Sequence, residues 1–121
     1  MFQGLRTVIY GVTNIEKAKK WYSEALGFDP YFDEPFYVGF NVGGYELGLD
    51  PNASPVTKEN AGVVAYWGVE NIEAEYKRLL ALGANEHGAV REVGGGIQVA
   101  TVLDPFGNIV GLIHNPHFKI G

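Results

Sequence analysis

The chain has no cysteine at all among its 121 residues. Disulfides, thiolate metal sites and cysteine nucleophiles are therefore excluded. Cations are scarce: nine Lys and Arg stand against fourteen Asp and Glu, for a net charge of −5. Nucleic-acid binding rests on neutralising phosphates with cations, so a nucleic-acid partner is not expected. No hydrophobic run approaches the roughly 20 residues of a membrane span, so no membrane partner is expected either. The opening Met1-Phe2-Gln3-Gly4-Leu5-Arg6 lacks the charged start and long apolar core of a secretory signal, and a cytoplasmic setting is the expectation. Motifs for dinucleotides, nucleoside triphosphates and serine hydrolases are missing as well.

What is present is apolar and rich in glycine. Hydrophobic residues make up 46% and aromatics 13%, enough to bury a core rather than remain disordered. Glycine occurs 17 times, about twice its average usage. The glycines fall singly or in short groups between β-rich runs, as at Gly39, Gly43-Gly44, Gly48, Gly94-Gly95-Gly96, Gly107 and Gly111. That placement reads as tight turns and close backbone approach within a sheet protein.

The chain repeats itself. Val12-Thr13-Asn14-Ile15-Glu16 returns as Val69-Glu70-Asn71-Ile72-Glu73, and Ala25-Leu26-Gly27 returns as Ala81-Leu82-Gly83. Gly44-Tyr45-Glu46-Leu47-Gly48-Leu49 is answered by Gly107-Asn108-Ile109-Val110-Gly111-Leu112. Three matches in one order indicate a duplicated module whose second copy is longer, with room for a loop around Gly94-Gly95-Gly96. In the first copy, Leu5 to Val12 is β-branched and aromatic and predicts a strand. Thr13 or Asn14 supplies a helix cap, Ile15, Ala18, Tyr22 and Ala25 recur at helical spacing, and Gly27 is the stop. Short strands follow around Tyr31-Phe32, Phe36 to Val42 and Tyr45 to Leu49. The second copy predicts a strand from Val63 to Val69 and a helix from Ile72 with Ile72, Tyr76, Leu79 and Gly83 on one face. Its later strands are Ala89 to Val93, Ile97 to Leu103 and Asn108 to Ile113. The fold class is α+β, with β-α-β-β-β twice: one domain over 1–121, modules at 5–50 and 61–115, and a connection at 51–60. One helix covers only one face of a four-stranded sheet, so the modules are expected to face each other and enclose a small-molecule pocket.

Trp21-Tyr22-Ser23-Glu24-Ala25-Leu26-Gly27-Phe28, the turn Asp104-Pro105-Phe106-Gly107-Asn108 and the paired modules resemble the vicinal oxygen chelate superfamily, most of all its small glyoxalase and bleomycin-resistance-type proteins. The resemblance implies an incompletely closed eight-stranded barrel or cup with its helices outside, and a homodimer. It also implies a divalent metal held by His or Glu from the first and last strands of each module. Here those positions fall at Thr7, Gly48, Val64 and Gly111. Glycine and valine offer no donor, so no metal or other cofactor is expected, nor are metal-dependent glyoxalase, epimerase, dioxygenase or fosfomycin-type activities.

Strand alternation places Thr7, Ile9, Glu46, Val64, Tyr66, Val99, Thr101, Ile109, Gly111 and Ile113 on the inward faces, as an apolar wall with a few hydroxyls. Burial there would favour the neutral form of Glu46, making it a candidate general base or a binder of a cationic or hydroxyl group. The plainer alternative is a solvated Glu46, or one paired with Arg6 or Arg91. Tyr37 and Phe40 lie on opposite faces of one strand, and the sequence leaves open which of them lines the cup. Trp67 falls on the helix-covered face. His114, His117 and His87 read as surface groups, and Gly94-Gly95-Gly96 as a mobile hairpin loop. The function implied is binding of a small, partly apolar molecule, as bleomycin-resistance proteins do. The alternatives are a lyase- or isomerase-type enzyme with a displaced metal or Glu46 as base, and a regulatory protein whose cup is filled by its own side chains.

Overall fold

The structure is a computed structural model and describes residues 1, 3–53 and 64–118. The chain divides into two compact units, Met1–Val56 and Thr57–Gly121. Most of the expected 51–60 connection, and Val63 at the expected start of a strand, lie outside the described residues.

In the first unit β1 (Thr7–Gly11) leads into α1 (Ile15–Leu26), followed by β2 (Phe32–Glu34), β3 (Tyr37–Val42) and β4 (Tyr45–Asp50). Of the two candidate caps, Asn14 does the work: its side chain accepts from the Lys17 N–H at 3.0 Å, satisfying a helix-start donor that has no intrahelical partner. Gly27 ends the helix in the left-handed conformation at φ 86 and donates its N–H to the Ser23 carbonyl, a conformation that glycine adopts at low cost. The sheet order is β1-β4-β3-β2, with β1 parallel to β4 and the other pairs antiparallel. The predicted helical stripe is the buried one: Ala18, Tyr22 and Ala25 are buried, together with Tyr10, Val38, Phe40, Leu47 and Leu49 on the sheet. Phe40 is fully enclosed and meets Phe28 edge-on at 6.3 Å.

The second unit repeats the order with β5 (Tyr66–Gly68), α2 (Ile72–Ala81), β6 (Asn85–Gly94), β7 (Ile97–Leu103) and β8 (Ile109–His114). Its sheet runs β5-β8-β7-β6, again with a single parallel pair, β5 with β8. Asn71 caps α2 through the Ala74 N–H at 3.1 Å, and Gly83 turns the chain at φ 108. Ile72, Leu79, Ala100, Val102, Val110 and Leu112 are buried in this unit. Trp67 is the cross-strand partner of Leu112 and shares that face.

Two strands of this unit depart from expectation. β5 is shorter, so Val64 precedes the strand. β6 is longer than the expected Ala89 to Val93 and takes in His87. The cause lies in its ladder with β7, which shifts register between Glu86 and Gly88, between Gly88 and Arg91, and between Glu92 and Gly94. Each shift breaks the strict alternation on which strand recognition depends. The Gly94-Gly95-Gly96 segment closes this hairpin: the Gly96 N–H donates to Glu92 at 3.1 Å, and His117 Nε2 lies 2.7 Å from the Gly95 carbonyl. No helix among the described residues is long and apolar enough to cross a membrane.

Candidate functional site

Cross-strand register sorts each sheet into two faces. In the first unit Thr7 faces Glu46 across β1 and β4, and Ile9, Gly48 and Gly39 lie in one row across β1, β4 and β3. These alternate with the buried Leu47, Leu49, Val38 and Phe40, so they occupy the face that α1 does not cover. Tyr37 shares this face and Phe40 lies on the opposite, buried one.

The chemistry of this face centres on Glu46. Tyr31 donates its hydroxyl to one carboxylate oxygen. Tyr37 donates to the other at 2.6 Å, and Thr7 reaches the same oxygen at 3.5 Å. Two glycines make room for the group. A Cβ on Gly48 would run into the Tyr37 hydroxyl and ring, and one on Gly39 would lie 3.0 Å from a Glu46 oxygen and 3.5 Å from the Tyr31 ring. Neighbouring glycines on the two central strands therefore leave room for the phenols and the carboxylate.

Hydrogen bonds from Tyr31 first, and then Tyr37, hold the Glu46 carboxyl below the ordinary glutamate range, against a smaller opposing effect of burial. This reverses the balance expected from burial alone, because donated hydroxyls stabilise the charged form. Tyr31 is raised chiefly by its bond to Glu46, and Tyr37 chiefly by burial with the Glu46 bond next. Both phenols therefore keep their protons at neutral pH. Arg6 turns away: its guanidinium bonds to Gln3 and to the Leu5 carbonyl. Among the described residues the ion pairs are Lys19 with Glu16 and Asp33, and Arg78 with Glu75; none involves Glu46.

A depressed carboxyl stabilises the fold above its unfolded pKa, and that stabilisation is lost as pH falls through the lowered folded value. Carbon-detected NMR titration of the Glu46 carboxyl should give a midpoint below that of an ordinary glutamate. In Tyr31→Phe the midpoint should rise, since the largest stabilising donor is gone; an unmoved midpoint would refute the hydroxyl account.

On the corresponding face of the second unit, Tyr66, Gly111 and Thr101 lie in one row, with Ile113 beside Val99 and Ile109 beside Leu103. A Cβ on Gly111 would meet the Ala65 carbonyl at 2.6 Å and the Tyr66 ring at 2.7 Å. Tyr66 thus roofs Gly111 as Tyr37 roofs Gly48. Ile109 is buried, Val99, Thr101 and Val64 are half-buried, and Tyr66 is exposed. His87 Nδ1 lies 2.8 Å from the Thr101 hydroxyl, a contact that the irregular β6 ladder conceals from sequence parity. His114 falls on the opposite face, in register with Gln98, and its Nδ1 lies 3.1 Å from the Val69 carbonyl.

Of the expected ligand positions, Thr7 pairs across the strands with Glu46, Gly48 with Ile9 and Gly111 with Tyr66. The donor set does not fit a divalent metal of the kind that the resemblance implies. Gly48, Val64 and Gly111 offer no side-chain donor, and tyrosine rings lie against Gly48 and Gly111. Among the described residues no three His, Cys, Asp or Glu side chains are grouped to hold an ion.

The fold has many solved counterparts. A glyoxalase-related enzyme from Fulvimarina pelagi superimposes with a TM-score of 0.77 at 20% identity, covering 99% of this chain and 94% of that one. A glyoxalase/bleomycin resistance protein from Albidiferax ferrireducens T118 gives 0.70 at 23% identity, with 92% and 98% covered. TioX from Micromonospora sp. ML1 gives 0.70 at 17% identity, with 97% and 100% covered. Likeness at these identities establishes the fold. No curated protein matches the chain in sequence. The family model described as Glyoxalase/Bleomycin resistance protein/Dioxygenase superfamily matches residues 4–112. With its two β-α-β-β-β modules and a matching model over nearly its whole length, the chain belongs to that superfamily.

Proposed function

We propose that the protein is a metal-independent receptor for a small, partly apolar molecule, held on the helix-free face of the first unit. The observation that carries this reading is the Glu46 carboxylate, which collects the hydroxyls of Tyr31, Tyr37 and Thr7 above Gly39 and Gly48. A polar group so placed orients a ligand, while neighbouring aromatic rings supply contact area. The same bonds argue against Glu46 as a general base, since stabilising the carboxylate weakens its pull on a proton. Tyr66, Val99, Thr101, Ile109 and Gly111, with Val64, stay as proposed ligand contacts of the second unit.

A thermal-shift screen tests the reading. It uses small aromatic compounds in cationic, neutral and anionic sets, with EDTA present throughout. A true ligand at about 100 times its Kd should raise Tm by roughly 10 °C, and the rise should shrink sharply in Tyr37→Ala. The receptor reading is overturned if no compound moves Tm with EDTA present, including the case in which shifts appear only once a divalent metal replaces the EDTA.

A further inference from the structure

We infer that the ligand of the Glu46 site is a protonated amine carrying an apolar body. The inference rests on the receptor reading above and names the chemical class that the site selects. It follows from counting protons. Each phenol and the threonine hydroxyl has one proton to give, and at Tyr31, Tyr37 and Thr7 that proton goes to Glu46. What the cluster offers outward is then lone pairs only: those left on the phenol oxygens, on the threonine oxygen and on the carboxylate.

That surface carries one negative charge that no cation among the described residues neutralises by an ion pair. A ligand that suits it is all donor and positively charged. An ammonium group has three N–H donors and no acceptor. An alcohol supplies one donor and no charge. A carboxylate supplies neither donor nor attraction and is repelled.

The surroundings supply the apolar half. Phe32 lies 6.1 Å from Tyr37 and 6.1 Å from Phe36, with the rings inclined by 58° and 68°. Tyr31 and Phe36 are 64% and 62% exposed, so the rings are open to a ligand rather than consumed in the core. Carboxylate and aromatic faces side by side hold organic cations by charge and by the ring quadrupole together. The aromatic rings continue outward from Glu46 along β2 and β3, and the hydrocarbon of the amine lies over Phe32 and Phe36.

Isothermal titration at neutral pH, with EDTA present, compares three probes of one shape: phenethylammonium, phenethyl alcohol and hydrocinnamate. Phenethylammonium should bind about tenfold tighter than the alcohol, with hydrocinnamate the weakest. Added salt should narrow the gap. Glu46→Gln keeps the shape and removes the charge, and should bring the ammonium down to the level of the alcohol. Glu46→Asp should retain a preference for the ammonium. Equal binding of alcohol and ammonium, tighter binding of hydrocinnamate, or a preference that survives Glu46→Gln overturns the inference. If it fails while compounds of another charge raise Tm in the screen above, the receptor reading stands and only the ligand class is wrong. If no compound binds by either method, both fall.

Discussion

Phe40→Ala is expected to cost about 3–5 kcal/mol of stability, the range for truncating an enclosed aromatic side chain. Phe40 is 0% exposed at the centre of β3, in register with the buried Leu47 and edge-on to Phe28. Truncation removes the transfer energy of the ring and leaves a void that its neighbours only partly fill. A domain of this size has only about 5–15 kcal/mol in total, so the variant should be close to unfolding near physiological temperature. Chemical denaturation monitored by circular dichroism measures the loss, and Phe40→Leu should fall between variant and parent. Phe36 is a contrasting aromatic four residues earlier and largely exposed; Phe36→Ala should change stability by about 0.5 kcal/mol or less. Equal losses at the two positions would contradict the assignment of faces on which the site depends.

Asp104→Ala should cost about 3 kcal/mol, by removing the carboxylate that accepts three donors at a buried turn. Asp104 is 1% exposed. One of its oxygens accepts the N–H groups of Phe106 and Asn108 at 2.9 and 2.8 Å, and the other accepts the Asn108 side-chain amide at 3.1 Å. The Gly107 N–H closes the turn onto the Asp104 carbonyl at 3.2 Å, with Gly107 at φ 91. Pro105 takes the turn position whose φ its ring already favours. The motif thus joins β7 to β8 through buried polar bonds and aims Ile109 and Gly111 at their register partners. Asp104→Asn preserves one acceptor but sets an amide against the Asn108 amide, so its loss should be smaller than that of the alanine variant. A loss below about 1 kcal/mol for Asp104→Ala would show that the donors find other acceptors.

Much of the fold was legible in the chain because local rules and global fold agree. Asn14 and Asn71 cap, Gly27 and Gly83 stop, and the residues between them carry an apolar stripe at helical spacing. Each of these signals acts over a few residues and needs no partner strand. The site was legible only in part, because it is made by register. Alternation is enough to put Glu46 and Thr7 on one face, but Tyr31 stands one residue before β2, where alternation has not begun. Tyr37 could be separated from Phe40 only by the pairing of β3 with β4, which brings Gly39 beside Gly48 and Phe40 beside Leu47. Gly48 and Gly111 were recognised as lacking donors. That a tyrosine ring lies over each is a tertiary fact, and it gives the physical reason why a side chain is excluded there. The direction of the Glu46 shift was misjudged for the same reason: burial can be anticipated from a strand pattern, whereas two phenols arriving from separate places cannot.

The long outer strand of the second sheet bears on how the protein survives at high concentration. β6 runs for ten residues at a sheet edge, where backbone donors and acceptors of a regular strand would invite a stranger's strand to add on. Its spacing slips at three places, and Glu86, Arg91 and Glu92 are exposed along it. A growing fibril requires an even, straight row of partners. The same irregularity that hid His87 from sequence pattern makes this edge a poor template for such a row, so among the described strands the one with slipped register is also ill suited to polymerise.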